Sequence, residues 1–210
     1  MNAVFFIVQN LVRKIYLSEV YTPRTGLSST LLQKNPRGGI LVRRERGRQN
    51  MSQKIQKTNA MRMLETLHID YTPHEYDCGD GAIDGVSVAK KTGQDPDRVF
   101  KTLVTQGASK AFYVFVIPVA AELDLKKAAK SVGEKSVAML HVADLLKTTG
   151  YIRGGCSPVG MKKQFVTRVD ETAELYDTVM VSGGKQGLQV ELAPADLLRA
   201  AQAETADLTF

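Results

Sequence analysis

Three short segments carry more glycine and polar residues than packing needs: VFKTL at 99–103, GGCSPVG at 154–160 and SGGKQG at 182–187. Each falls at the end of a strand-like run or in a loop beside one, where functional groups are commonly displayed. The second holds Cys156, one of two cysteines in the chain, and poses a choice between a thiol nucleophile and a loop that acts through its backbone. A nucleophilic cysteine needs a neighbouring base and a group that orients it. The histidines do not offer one: His74 lies in a strand-like segment, and His68 and His141 flank helices. Cys156 therefore reads as a small buried apolar residue. The backbone alternative needs only what the loop contains. Gly154 and Gly155 open conformations closed to other residues, and N–H groups turned inward there would stabilise negative charge growing on a carbonyl oxygen. A tight turn joining two elements accounts for the same residues.

Lys101 is the second candidate. In a strand Val99, Lys101 and Leu103 share one face, so if the two apolar residues point inward the lysine does too. An inward ammonium needs an acceptor, because burying it unpaired is costly. The competing reading is a lysine at a sheet rim that carries its charge out to water. The third segment lacks the GxxxxGK[ST] spacing of a phosphate-binding P-loop, although its hydroxyl and glycines suit contact with a ribose or phosphate. Cys78 and Cys156 form no CxxC pair, and the histidines have no ligand spacing. No metal, cofactor or disulfide is therefore expected, and a reducing cytoplasm is the expected location.

The elements that would hold these segments alternate along the chain from Thr58. Thr58 can cap a helix that places Met61, Leu64, Leu67 and His68 on one side. YTPHEYD at 71–77 is strand-like. A helix follows between a capping Asp84 and a left-handed Gly93, then a turn or short helix at 95–99 feeds the strand FKTLVTQ. AFYVFVIPV at 111–119 is apolar throughout and should be buried on both faces, ending at Pro118. Helices over 125–133 and 142–150 precede the strands QFVTRVD and TVMVSGG, and LQVELAPADLLRAAQ couples a strand to a helix opened by proline. This mixture predicts an α+β fold with a mixed, curved sheet or barrel surrounded by short helices.

The net charge of +6 is confined to the N-terminus. Residues 1–50 hold nine Lys/Arg against two Asp/Glu; residues 51–210 hold nineteen against twenty. The apolar run at 3–12 is too short to span a bilayer, and its basic residues follow rather than precede it, unlike a secretory signal. Residues 1–50 could be an organelle targeting peptide, a disordered basic arm for RNA, or a non-native extension before a start at Met51. The third is preferred, with 51–210 as the functional domain.

Taken in order, VFKTLV, IPVAAELDLKKAAKSVG, TGYIRGGCSPVGMKK and VMVSGGKQGLQVEL resemble the YbaK/EbsC family. Its members are freestanding relatives of the editing domain inserted in bacterial prolyl-tRNA synthetases. The likeness runs from about Thr58 to Leu208. It implies hydrolysis of a mischarged aminoacyl-tRNA bound by its 3′ acceptor end, chiefly Cys-tRNA(Pro) and also Cys-tRNA(Cys), with prolyl-tRNA synthetase as partner and no membrane or metal. It further implies that Lys101 and Gly154 serve the reaction, and that Tyr76, Thr102, Gly155, Ser157, Pro158, Ser182 and Gln189 line the substrate pocket. Gln189 stands where the family often has an acid. The resemblance also implies that the substrate's own thiol attacks and no protein side chain does. Two alternatives are a deacylase for another amino acid, such as Ala-tRNA(Pro), and a non-catalytic module that docks on tRNA or a synthetase.

Overall fold

Strand β5 (Phe112–Pro118) is the middle strand of a five-stranded sheet, and its composition explains why. Val114 and Val116 point into one core cluster while Phe115 and Ile117 point into another, all fully buried. Each such side chain contributes about 1.5–3 kcal/mol by leaving water, so a strand apolar on both faces is held best with a layer on either side. The computed structural model describes residues 56–210 and two short strands, β1 (Gln33–Lys34) and β2 (Ile40–Leu41). These two pair antiparallel within a separate unit, Met1–Gln53. The other expectations for residues 1–50 lie outside the described residues.

The larger unit begins with α1 (Asn59–Thr66), β3 (Thr72–Glu75) and α2 (Gly85–Thr92). A 3-10 turn at Pro96–Arg98 leads into β4 (Phe100–Gly107), which pairs antiparallel with β5. Then come α3 (Leu125–Ser131), β6 (Val137–Met139), α4 (Val142–Thr149) and β7 (Val166–Asp170). A second 3-10 turn, β8 (Val179–Ser182), β9 (Leu188–Leu192), α5 (Pro194–Ala201) and β10 (Glu204–Ala206) complete the chain. One sheet has the order β10-β7-β5-β4-β6, parallel across β10-β7-β5 and antiparallel from β5 to β6. The other, β3-β9-β8, is antiparallel. The fold is α+β, as the alternation of segments suggested. The barrel is not realised as a closed one: both sheets stay open, joined where Val99 bridges Met180 at the start of β4.

That seam orders the core. Phe100, Val104 and Val116 of the first sheet share a core cluster with Val181, Leu188 and Val190 of the second, and α1 and α5 contribute to the same cluster. Behind the first sheet, α3 packs Ala128 and Ala129 on Phe115 and Ile117. Beside the seam, α2 sets Ala89 against Val99, Val119 and Met180. The capping residues behave as their chemistry requires. Asp84 accepts the Ser87 N–H at 3.0 Å, Asp124 accepts the N–H groups of Lys126 and Lys127, and Gly93 ends α2 at φ 67°. The pattern gave no sign of β6 and β10, which are three-residue edge strands with mostly exposed or half-buried side chains. Among the described residues no helix is long and apolar enough to cross a membrane.

Candidate active site

The two glycine segments are brought together by the start of α1. Thr58 caps that helix by accepting the Met61 N–H, and its hydroxyl also donates to the Gly183 carbonyl at 2.5 Å. Its neighbour Asn59 donates to the Gly160 carbonyl at 2.6 Å, so one helix end holds both segments. Tyr151 ties the first loop across itself by donating to the Val159 carbonyl at 2.7 Å. Gln186 Nε2 closes the arrangement by donating to the Arg153 carbonyl at 2.8 Å. Contact is close enough to exclude a side chain: a Cβ on Gly155 would stand 3.0 Å from the backbones of Lys185 and Gln186.

A cavity of about 170 Å³ opens beside the loops, at the seam of the two sheets. A space of roughly 150 Å³ holds one benzene-sized molecule, so this one has room for a small aminoacyl group. Six residues singled out from the sequence line it: Tyr76, Lys101, Thr102, Gly154, Ser182 and Gln189. Gly155, Ser157 and Pro158 do not. Ser157 is fully buried, and its Oγ accepts the Val159 N–H two residues on, which shapes the loop. Gly155 serves the contact between the loops.

Lys101 settles between the two readings of its face. Val99 and Leu103 pack into core clusters on either side of it, and the lysine is half-buried between them. Its ammonium donates to the carbonyls of Val119 (3.1 Å) and Ala121 (2.7 Å). An ammonium has three donors, which leaves one for a ligand. Burial presses its pKa below the ordinary lysine value, and the carboxylate of Glu122 opposes that shift.

Gly154 adopts φ +78°, a conformation that L side chains rarely take. None of the hydrogen bonds among the described residues uses its N–H. A cavity wall with a free backbone donor and a half-buried ammonium suits a substrate that develops negative charge on a carbonyl oxygen.

Residues 83–200 match the family described as the aminoacyl-tRNA editing domain. The chain belongs to that family. It is 50% identical over 154 residues to the "Putative Cys-tRNA(Pro)/Cys-tRNA(Cys) deacylase EbsC" of Enterococcus faecalis, a match covering 73% of this chain and 94% of that protein. Among solved structures it resembles "a putative trans-editing enzyme for prolyl tRNA synthetase" at 26% identity and a TM-score of 0.64, over 72% of this chain and 95% of the other. It also shares its fold with the hypothetical protein APE2540, at 21% identity and a TM-score of 0.67, over 73% of this chain and all of that one.

In this editing domain Cys156 is more than a neighbour of the loop, since it too lines the cavity. Burial nonetheless pushes its thiol up to about 12, against a hydrogen bond with Thr149 that pulls the other way. A thiol in that state is protonated at neutral pH and a poor nucleophile. No histidine lines the cavity. His74 is engaged elsewhere, 2.8 Å from Glu191, whose other oxygen takes Arg98 at 2.6 Å. Among the described residues no group of three His, Cys, Asp or Glu could hold a metal ion. Sequence reasoning missed Ile83, Gly85, Phe100 and Arg153 on the cavity wall. The capping Asp84 was a usable signal for the first two, because the helix it starts abuts the cavity. For Arg153 the signal is its place in the chain, directly before Gly154.

Proposed function

We propose that this editing domain is an aminoacyl-tRNA deacylase acting in trans on cysteine misattached to tRNA(Pro), with Cys-tRNA(Cys) as a second substrate. The observation that carries the reading is a cavity with a cation, hydroxyls and a free backbone N–H but no activated nucleophile. The attacking atom then comes from the substrate. A cysteine thiol of ordinary pKa near 8.5 is partly ionised at neutral pH, and its thiolate attacks the carbonyl carbon of its own ester. The bond to the ribose oxygen breaks, that oxygen takes up a proton, and the four-membered thiolactone left behind is opened by water. Holding the thiolate against the carbonyl can supply about 7–11 kcal/mol of the barrier, while Gly154 and Lys101 stabilise the oxygen.

Residues 51–210 carry nineteen basic against twenty acidic side chains, and a protein that grips tRNA alone usually shows a basic face. Selection of the tRNA by prolyl-tRNA synthetase, with the deacylase working beside it in the cytoplasm, fits that balance.

A panel of Cys-, Ala- and Pro-charged tRNA tests the reaction. Only the cysteinyl ester should be cleaved at an appreciable rate, because alanine and proline bring no nucleophile. Cleavage of the alanyl ester alone would place the protein with deacylases of the other specificity, and no turnover on any would favour a binding module. Cys156→Ala should retain most of the activity. The rate should rise with pH towards the substrate thiol's value near 8.5, a profile that a protein thiol near 12 would not produce. Loss of activity in a folded Cys156→Ala protein would point to covalent catalysis instead.

A further inference from the structure

The cavity wall contains polar groups that the fold leaves unsatisfied. Gln189 is 6% exposed, and its Oε1 accepts from no donor. Its side chain appears in none of the hydrogen bonds among the described residues. Thr102 Oγ1, on β4 across the seam, is also buried and unpaired. Buried polar atoms nearly always have partners in native proteins, so two orphans on one cavity wall point to a ligand that completes them. The strand register adds a third oxygen. Ser182 stands directly opposite Gln189 in the β8–β9 pair, which puts their Cβ atoms about 4.5–5.5 Å apart. Its hydroxyl accepts only the Gly184 N–H, at 3.3 Å.

Three neutral oxygens that can all accept call for a group rich in donors. On an aminoacyl ester that group is the α-ammonium, with three N–H bonds; each ribose hydroxyl has one. Lys101 is not hydrogen-bonded to these oxygens; the two bonds it makes go to the carbonyls of Val119 and Ala121. The Gln189 amide has two orientations about χ3 that differ little in energy, and one of them turns Oε1 to the ligand.

We propose that Gln189, Thr102 and Ser182 form the subsite for the substrate's α-amino group, so that the protein acts on aminoacyl-tRNA and spares N-acylated forms. This inference rests on the deacylase reading above. Peptidyl-tRNA, whose amine is tied up in an amide with one N–H, is then excluded by the same contacts that accept the free amino acid.

The test compares Cys-tRNA(Pro) with N-acetyl-Cys-tRNA(Pro), using the full chain and subtracting spontaneous hydrolysis. Wild type should prefer the free amine by about tenfold or more, the value of a hydrogen bond to a charged group. In Gln189→Leu the ratio should collapse towards one, and Thr102→Val, which keeps the shape of the side chain, should lower it in the same direction. Gln189→Glu keeps the acceptor and removes the amide donor, so its preference for the free amine should survive. Equal cleavage of both substrates by wild type would overturn the subsite while leaving the deacylase intact. A Gln189→Glu protein that loses the free-amine reaction would overturn it too, because the amide would then be a donor to the ester. Failure of wild type to cleave either substrate would remove the deacylase reading and the subsite with it.

Discussion

Replacing Lys101 by alanine should lower kcat/KM for cysteinyl-tRNA by roughly 10- to 150-fold, which corresponds to the 1.5–3 kcal/mol of a hydrogen bond made by a charged group. The expectation rests on where the ammonium is held. The carbonyls of Val119 and Ala121 fix two of its protons, so the third is directed without further loss of side-chain freedom. Alanine also removes the stem that packs between Val99 and Leu103, and a structural change could lower activity for that reason alone. Lys101→Met separates the two effects, because it keeps the stem and discards the charge. Methionine should be as inactive as alanine; a methionine protein with wild-type turnover would show that the charge does nothing. The pH profile gives an independent reading. Burial lowers the pKa of Lys101, so its positive charge is present at neutral pH and is lost as pH rises through a value below the ordinary 10.5. Activity should therefore climb as the substrate thiol ionises, then fall on the alkaline side, and the fall should be missing from the residual activity of Lys101→Met.

Most of the frame that places this lysine could be read from the sequence because it depends on local rules. Asp84, Asp124 and Gly93 cap their helices through contacts a few residues away, and the apolar run of β5 states its own burial. The cavity is another matter. It exists because β4 and β8 meet at Val99 and Met180, which are 81 positions apart, and no local pattern encodes that meeting. The same gap explains the mixed result for the GGCSPVG loop. Its glycines announced a special backbone, but whether a given residue faces the cavity or the second loop depends on how Lys185 and Gln186 lie across it. Gly154 faces the cavity and Gly155 faces the loop, although the two are adjacent. Cys156 illustrates a further limit: its poor reactivity could be inferred from the absence of a base, whereas its place on the wall could not.

Gly154→Ala should lose most of the activity while the fold survives, and the reason can be divided experimentally. The residue sits at φ +78°, and an L residue held in that region costs about 1–2 kcal/mol, which should appear as lower stability to urea. The second effect is steric. The new Cβ would lie 2.9 Å from Ile83 Cδ1 and 3.2 Å from Gln186 Nε2. Ile83 is itself a wall of the cavity, and the Gln186 amide holds the Arg153 carbonyl just before Gly154. Both are side-chain ends that can shift: Ile83 would shift on the cavity wall against the substrate, and Gln186 would loosen its hold on the Arg153 carbonyl that precedes the Gly154 N–H. A displacement of this kind near reacting atoms can cost about a hundredfold in rate. Ile83→Ala removes the atom in conflict, so the double variant Gly154→Ala/Ile83→Ala should recover part of the rate but none of the stability lost to backbone strain. Residues in contact couple in such a cycle. Simple additivity of the two substitutions would mean that Ile83 plays no part, and that the backbone conformation of Gly154 alone sets the geometry of its N–H.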